Sequence, residues 1–151
     1  GEQKEINIMS DISVFKSRTA QVNCTAEELY HFVSDIRNFK RFLPEDKFSD
    51  LSIEKESCSF TVSMMGKVEV SVSEKMEFSR VGFSGSAMQI NEFSIVLDIR
   101  NGDNERSLAD ISVSAHLNPF LKMLAADPIS RFLETLVAEM EKYNGWKDVS
   151  L

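Results

Sequence analysis

Residues 127–143 read DPISRFLETLVAEMEKY, and how this stretch folds decides what the rest of the chain must do. Asp127 is a good N-cap whose carboxylate accepts the free N–H groups of a first turn, and Pro128 at the first helical position lacks an N–H that would have had no partner there. Ile129, Phe132, Leu133, Leu136, Val137 and Met140 recur at spacings of three and four and share one face, with Arg131, Glu134, Glu139 and Lys142 elsewhere. A stripe that wide must be buried. Most of the preceding chain alternates with period two, so the partner is an antiparallel sheet whose apolar face meets the helix.

The bulk numbers set the outer bounds. A chain of 151 residues is sized for one core. We read it as a charged arm over 1–10, beginning at Gly1 as a cleaved tag would leave it, and a single ligand-binding domain over 11–151. The 42% hydrophobic and 27% charged composition is ordinary for a globular protein. No apolar run is long enough for a bilayer span or a signal-peptide core, so a cytoplasmic protein without integral membrane contact is expected. Lys and Arg number 17 against 24 Asp and Glu, a net charge of −7 that repels phosphate backbones; no nucleic-acid partner is expected. Cys24 and Cys58 form no C-x-x-C pair and read as buried free thiols.

In chain order, 11–23 (DISVFKSRTAQVN) is rich in β-branched residues and reads as a first strand, with Ala20 and Val22 inward. Thr25 and Glu28 form a capping box before a short helix that buries Leu29, Phe32 and Val33 and ends near Asp35. A second short helix over 36–43 presents Ile36, Phe39, Phe42 and Leu43 on one side and Arg37, Lys40 and Arg41 on the other before Pro44 stops it. Proline is then absent until Pro119, as central strands require. Six strands fit there, over 48–55, 57–64, 67–78, 81–87, 92–100 and 106–117, and connections this short impose antiparallel hairpins. Parity turns Phe60, Val62 and Met64, then Val68, Val70, Val72, Met76 and Phe78, then Phe93, Ile95, Leu97 and Ile99 toward the helix. The strand over 67–78 would extend about 40 Å if straight, so the sheet must bend and hold the helix on its concave side. Asn118-Pro119 repeats the cap-then-proline signal and starts a turn through Phe120, Leu121, Met123 and Leu124. The second cap at Asp127 predicts a helix broken or kinked there, with 120–124 as a separate lid-like turn.

The resulting class is α+β: a seven-stranded curved antiparallel sheet, two short helices after the first strand, and a long C-terminal helix across the concave face. This order, over about 11–142, resembles the helix-grip fold of the START-like (SRPBCC) superfamily, which includes lipid-transfer domains, pollen-allergen-type proteins, coenzyme Q-binding proteins and polyketide cyclases. The most telling local match is RTAQVNCTAEELYHFVSDIRNFKRFLP, residues 18–44, which looks like that superfamily's opening of strand, cap, helix ending in Asp, and aromatic-bearing second helix. It is a pattern of residue types and carries no catalytic motif. The resemblance implies a deep cavity between helix and sheet that holds an apolar molecule.

Reactive chemistry finds little support. His31 and His116 lie in different elements without H-E-x-x-H spacing, so no metal site is read, and His116 shares the solvent-facing parity of Asp110, Ser112 and Ser114. Gly82 and Gly85 lack the Lys and Ser/Thr of a phosphate loop and mark a bulge or close packing. No nucleophile elbow occurs, no catalytic residue is nominated and no cofactor is called for. Arg18 and Glu74 fall on the parity of apolar neighbours and would orient a ligand or move protons if they point inward; the favoured reading sends Arg18 to solvent at a strand end and reverses Glu74 through a bulge near Ser73. Arg37, Lys40 and Arg41 either draw an anionic head group to the cavity mouth or, as favoured, form a solvated face. Met64, Met76, Met123 and Met140 with Phe60, Phe93, Phe120 and Phe132 all take inward positions, and flexible thioethers suit a wall that fits irregular apolar shapes.

The expected ligand wall is therefore Phe60, Met64, Val70, Met76, Phe93, Leu97, Phe120, Met123, Phe132 and Leu136, with Arg18 and Glu74 as its polar members. Its ligand would be a hydrophobic small molecule, a lipid, isoprenoid or aromatic polyketide-like compound, bound or transferred. The alternatives are a cyclase or dehydratase using Arg18 and Glu74, and an interaction module that holds no ligand and presents its outer face or the Phe39/Phe42 helix to a protein partner or a second copy.

Overall fold

The computed structural model describes residues 12–42, 48–62, 66–88, 90 and 92–147. In chain order these form β1 (Ile12–Lys16), β2 (Ala20–Val22), α1 (Ala26–Val33), a 3-10 helix (Ile36–Phe42), β3 (Phe48–Ile53), β4 (Ser57–Val62), β5 (Gly66–Met76), β6 (Arg80–Ala87), β7 (Phe93–Asn101), β8 (Ser107–His116) and α2 (Pro119–Lys142). The strands make one antiparallel sheet in the order β1-β8-β7-β6-β5-β4-β3, with β2 also on β8. The arm over 1–10, Leu43, Pro44, Met64 and Met65 lie outside the described residues.

The sheet has eight strands where seven were expected, because the first one is interrupted at 17–19. Lys16 pairs with Ser112 and Ala20 with Ala109, four steps on one side against three on the other. Ser17 sits in the gap, donating its N–H to the Ile111 carbonyl at 2.8 Å and accepting the Ile111 N–H on its hydroxyl at 3.1 Å. The extra residue shifts parity, so Phe15 and Ala20 both turn toward the core although five positions separate them. A second shift interrupts β5: Val72 pairs with Phe83 and Glu74 with Gly82, two steps against one. Beyond it the face reverses. Val68, Val70 and Val72 remain inward, whereas Glu74, Met76 and Phe78 are exposed, which corrects the uniform parity expected over 67–78.

Local chemistry accounts for the two short helices. The Thr25 hydroxyl accepts the Glu28 N–H at 3.1 Å while the Glu28 carboxylate accepts the Thr25 N–H at 2.9 Å, the reciprocal cap expected for α1. The second helix is a 3-10 helix. Asn38 donates its N–H to the Asp35 carbonyl three residues back and its side-chain amide to the Phe32 carbonyl at 2.8 Å, and these local bonds favour the tighter repeat.

The long helix begins eight residues before Asp127. Asn118 accepts the Leu121 N–H at 2.8 Å and Pro119 occupies the first turn, as the sequence signals. The expected break at Asp127-Pro128 does not occur: α2 runs 24 residues with Pro128 inside it, and 120–124 is its first turns rather than a separate lid. An interior proline forfeits one helical hydrogen bond and crowds the turn before it. Tertiary packing on both sides offsets that loss, since Leu121 and Ala125 rest on Ile90, Ala115 and Leu117 while Leu133, Leu136, Val137 and Met140 are buried in the main core. Beyond α2, Trp146 closes the core edge-on to Phe32 and Tyr143, its indole N–H donated to the Tyr143 carbonyl at 3.0 Å. Periodicity had not assigned this residue. Among the described residues no helix is long and apolar enough to cross a membrane.

Candidate functional site

α2 touches β1, β2 and the 3-10 helix, while the strands from β4 to β7 curve away and face it across a gap. α1 fills the part of that gap nearest the C-terminal half of β7, where Leu97, Ile99, Val81 and Phe83 join Leu29, Phe32 and Val33 in a solid core. The remainder is a cavity of about 370 Å³, within the range of small-molecule sites.

Its walls follow from alternation along the strands. Phe60 and Val62 come from β4, Val68 and Val70 from β5, Ala87 from β6, Phe93 and Ile95 from β7, and Val113 and Ala115 from β8. Ile90 and Phe42 close two sides, and α2 supplies Pro128, Ile129, Arg131, Phe132, Thr135 and Leu136. Gly85 makes room for the Phe93 ring, because a β-carbon there would come within 2.6 Å of Phe93 Cζ. Among the described residues, Arg131 and Thr135 are the polar side chains on this wall. Both sit at its open edge; Arg131 is 78% exposed and its Nη2 pairs with Asp127 Oδ2 at 2.8 Å.

Of the residues nominated from sequence, Phe60, Val70, Phe93, Phe132 and Leu136 come together around the cavity. Leu97 is inward but belongs to the solid core beside it. Phe120 and Met123, 64% and 69% exposed, point away because the unbroken helix turns Leu121 and Ala125 inward instead. Met76, 50% exposed, lies beyond the β5 bulge. Glu74 lies beyond it too and faces Arg80 at 3.6 Å on the outer surface. Arg18 bridges the β1–β2 interruption to the outer side of α2, 2.8 Å from Glu141 and 3.3 Å from Glu134. Hydrogen bonds to these two carboxylates raise the Arg18 pKa above its ordinary value, and the Arg18 bond in turn lowers that of Glu141. Both polar nominees are thus surface ion pairs, and the bulge that reverses Glu74 is at the position anticipated.

Arg37 pairs with the buried Asp35 at 2.6 Å, and Arg41 lies over the Tyr143 ring with its guanidinium carbon 5.9 Å from the centroid, so neither reaches the cavity mouth. Burial pushes the Cys24 thiol up to about 12 and raises that of Cys58 also, leaving both protonated near neutral pH. Among the described residues no three His, Cys, Asp or Glu side chains cluster where a metal could bind.

Arg131 and Thr135 escaped the sequence reading, although a signal was present. Pro128, Arg131, Phe132 and Thr135 stand at spacings of three and four and make a second stripe beside the apolar one. Reading only the apolar stripe assigned Arg131 to solvent.

By sequence the chain matches neither a protein-family model nor a curated protein. Its fold does match solved structures. Norcoclaurine synthase from Thalictrum flavum superposes with a TM-score of 0.68 over 87% of this chain and 92% of that one, at 10% identity. A START superfamily protein from Mycobacterium smegmatis gives 0.61 over 85% and 97%, at 13% identity. Ara h 8.0201 gives 0.57 over 87% and 97%, at 12% identity. Sheet order, helix placement and these superpositions agree, and the chain has the helix-grip fold.

Proposed function

We propose that this protein binds or transfers a hydrophobic small molecule in the cavity between α2 and the sheet. The single observation that carries this reading is the cavity itself, about 370 Å³ walled by aliphatic and aromatic side chains and open to solvent beside Arg131 and Thr135. Apolar surface of this kind contributes about 25 cal/mol per Å² covered, so a ligand without directed hydrogen bonds gains affinity from fit alone. The fold is compatible with such a role: one norcoclaurine synthase structure is a complex with dopamine and hydroxybenzaldehyde, two aromatic molecules. An enzymatic reading rested on Arg18 and Glu74 as proton-moving groups, and their place in surface ion pairs removes its candidates.

A neutral fluorescent probe, N-phenyl-naphthylamine, tests the proposal. Saturable fluorescence enhancement by the folded protein, with a rise in Tm that grows with probe concentration, is the expected result. Val70→Phe, which places a ring in the cavity, should cut probe binding at least several-fold while the protein still melts cooperatively. A folded wild-type protein that neither enhances the probe nor melts higher in its presence would show the interior to be closed to ligands.

A further inference from the structure

We infer that the ligand is an anionic amphiphile whose carboxylate is received by Arg131 and Thr135 at the mouth while its apolar body fills the cavity; this rests on the cavity being a ligand site, as proposed above. Among the described residues the wall offers two polar side chains, both on α2, four residues apart and therefore neighbours on one side of the helix. Along the described part of the wall a molecule in the cavity meets hydrocarbon except at that edge, and a polar group it carries is best placed there. Taking the roughly 30 Å³ that one water occupies in the liquid as a measure, the cavity admits at least about a dozen non-hydrogen atoms, a medium-chain or small aromatic body.

The chemistry of the edge selects the head group. Arg131 offers a planar fork of donors that matches a carboxylate in bidentate geometry, and the Thr135 hydroxyl adds one more. Asp127 already shows the fit, its carboxylate standing 2.8 Å from Arg131 Nη2. That pair is exposed on both sides and screened by water, so an incoming carboxylate exchanges for Asp127, whose charge water then solvates. The net charge of −7 disfavours anions in general. A cation on the wall is what would let an acid compete with a neutral molecule of the same shape.

Displacement of N-phenyl-naphthylamine by dodecanoate and by dodecanol, at neutral pH and in two salt concentrations, separates the head group from the body. Arg131→Gln should weaken dodecanoate about tenfold, the size of one charge-assisted bond at a wet edge, and leave dodecanol unchanged. Asp127→Asn should tighten dodecanoate several-fold by freeing the guanidinium, again without effect on dodecanol. Added salt should weaken the acid in wild type and no longer do so in Arg131→Gln. Equal shifts for acid and alcohol, or none for either, would overturn the head-group assignment while leaving the cavity reading in place. Failure of the probe to bind wild type would remove the cavity reading itself.

Discussion

Met140 has no solvent exposure and stands between α2 and the sheet, so its side chain is held by packing alone. Met140→Ala should cost about 2–5 kcal/mol in a denaturant titration, with the slope unchanged. Asp35 is the buried charge of the domain's opening helices, accepting the Arg37 backbone N–H at 3.0 Å and its guanidinium at 2.6 Å. The Arg37 side-chain bond holds the Asp35 carboxyl below its ordinary range, against burial that pushes it up. Glu28, Asp110 and Glu141 are lowered in the same direction by their bonds to Thr25, Thr19 and Arg18. A carboxyl whose folded pKa lies below its unfolded value stabilises the fold above the unfolded value, about 4, and loses that contribution as pH falls through the folded one. Melting temperature should therefore stay nearly level from pH 7 to about 5 and drop steadily below about 4. Asp35→Asn should flatten part of that acid limb, and an unchanged limb would show that Asp35 has no share in it.

Among the elements, β5 shapes the cavity through a local departure from a regular ladder and β6 through a position that lacks a side chain. The shift between Val72 and Glu74 lets one strand present valines to the cavity and charged residues to solvent. Deleting Ser73 would make the ladder regular, one step against one, so Glu74 should stay opposite Gly82 and face solvent; far-ultraviolet circular dichroism should still show a cooperative melt, and loss of it would mean that the bulge itself is needed for the fold. Gly85 is the counterpart on β6: a β-carbon there would press on the Glu69 carbonyl oxygen as well as on Phe93. The backbone oxygen has little freedom to move, so Gly85→Ala should destabilise by about 1–3 kcal/mol and displace Phe93 from the cavity wall, which probe binding would report. Helical elements were more legible than these. The Thr25–Glu28 box and the Asn118-Pro119 start are written in adjacent residues, and both form as written. Asp127-Pro128 carries the same local signal, yet the helix passes through it, because the contacts of Leu121 and Ala125 lie on elements far away in sequence.

For the whole molecule, the division between solid core and cavity yields a paired test. Leu97→Phe enlarges a residue packed under α1 and should cost about 1–3 kcal/mol, whereas Val70→Phe enlarges one facing open space and should cost less than half as much in the same denaturant assay. Equal costs would mean that the two regions are equally filled. By itself, the sequence determined the class of fold. Period-two alternation, a proline-free stretch from 45 to 118 and an apolar helical stripe leave little besides a curved antiparallel sheet with a helix across it. It also determined five members of the cavity wall, Phe60, Val70, Phe93, Phe132 and Leu136, since their inward parity survives in the structure. Tertiary structure decided the rest. Where parity changes depends on a bulge, and a bulge is a choice of partner register that no single strand encodes. Which inward residues meet a cavity and which meet a core depends on where α1 and α2 settle against the sheet, so Leu97 and Phe93, alike in sequence pattern, end in different surroundings. Arg131 lines the mouth for the same reason: where α2 settles against the sheet brings Pro128, Arg131, Phe132 and Thr135 to the cavity.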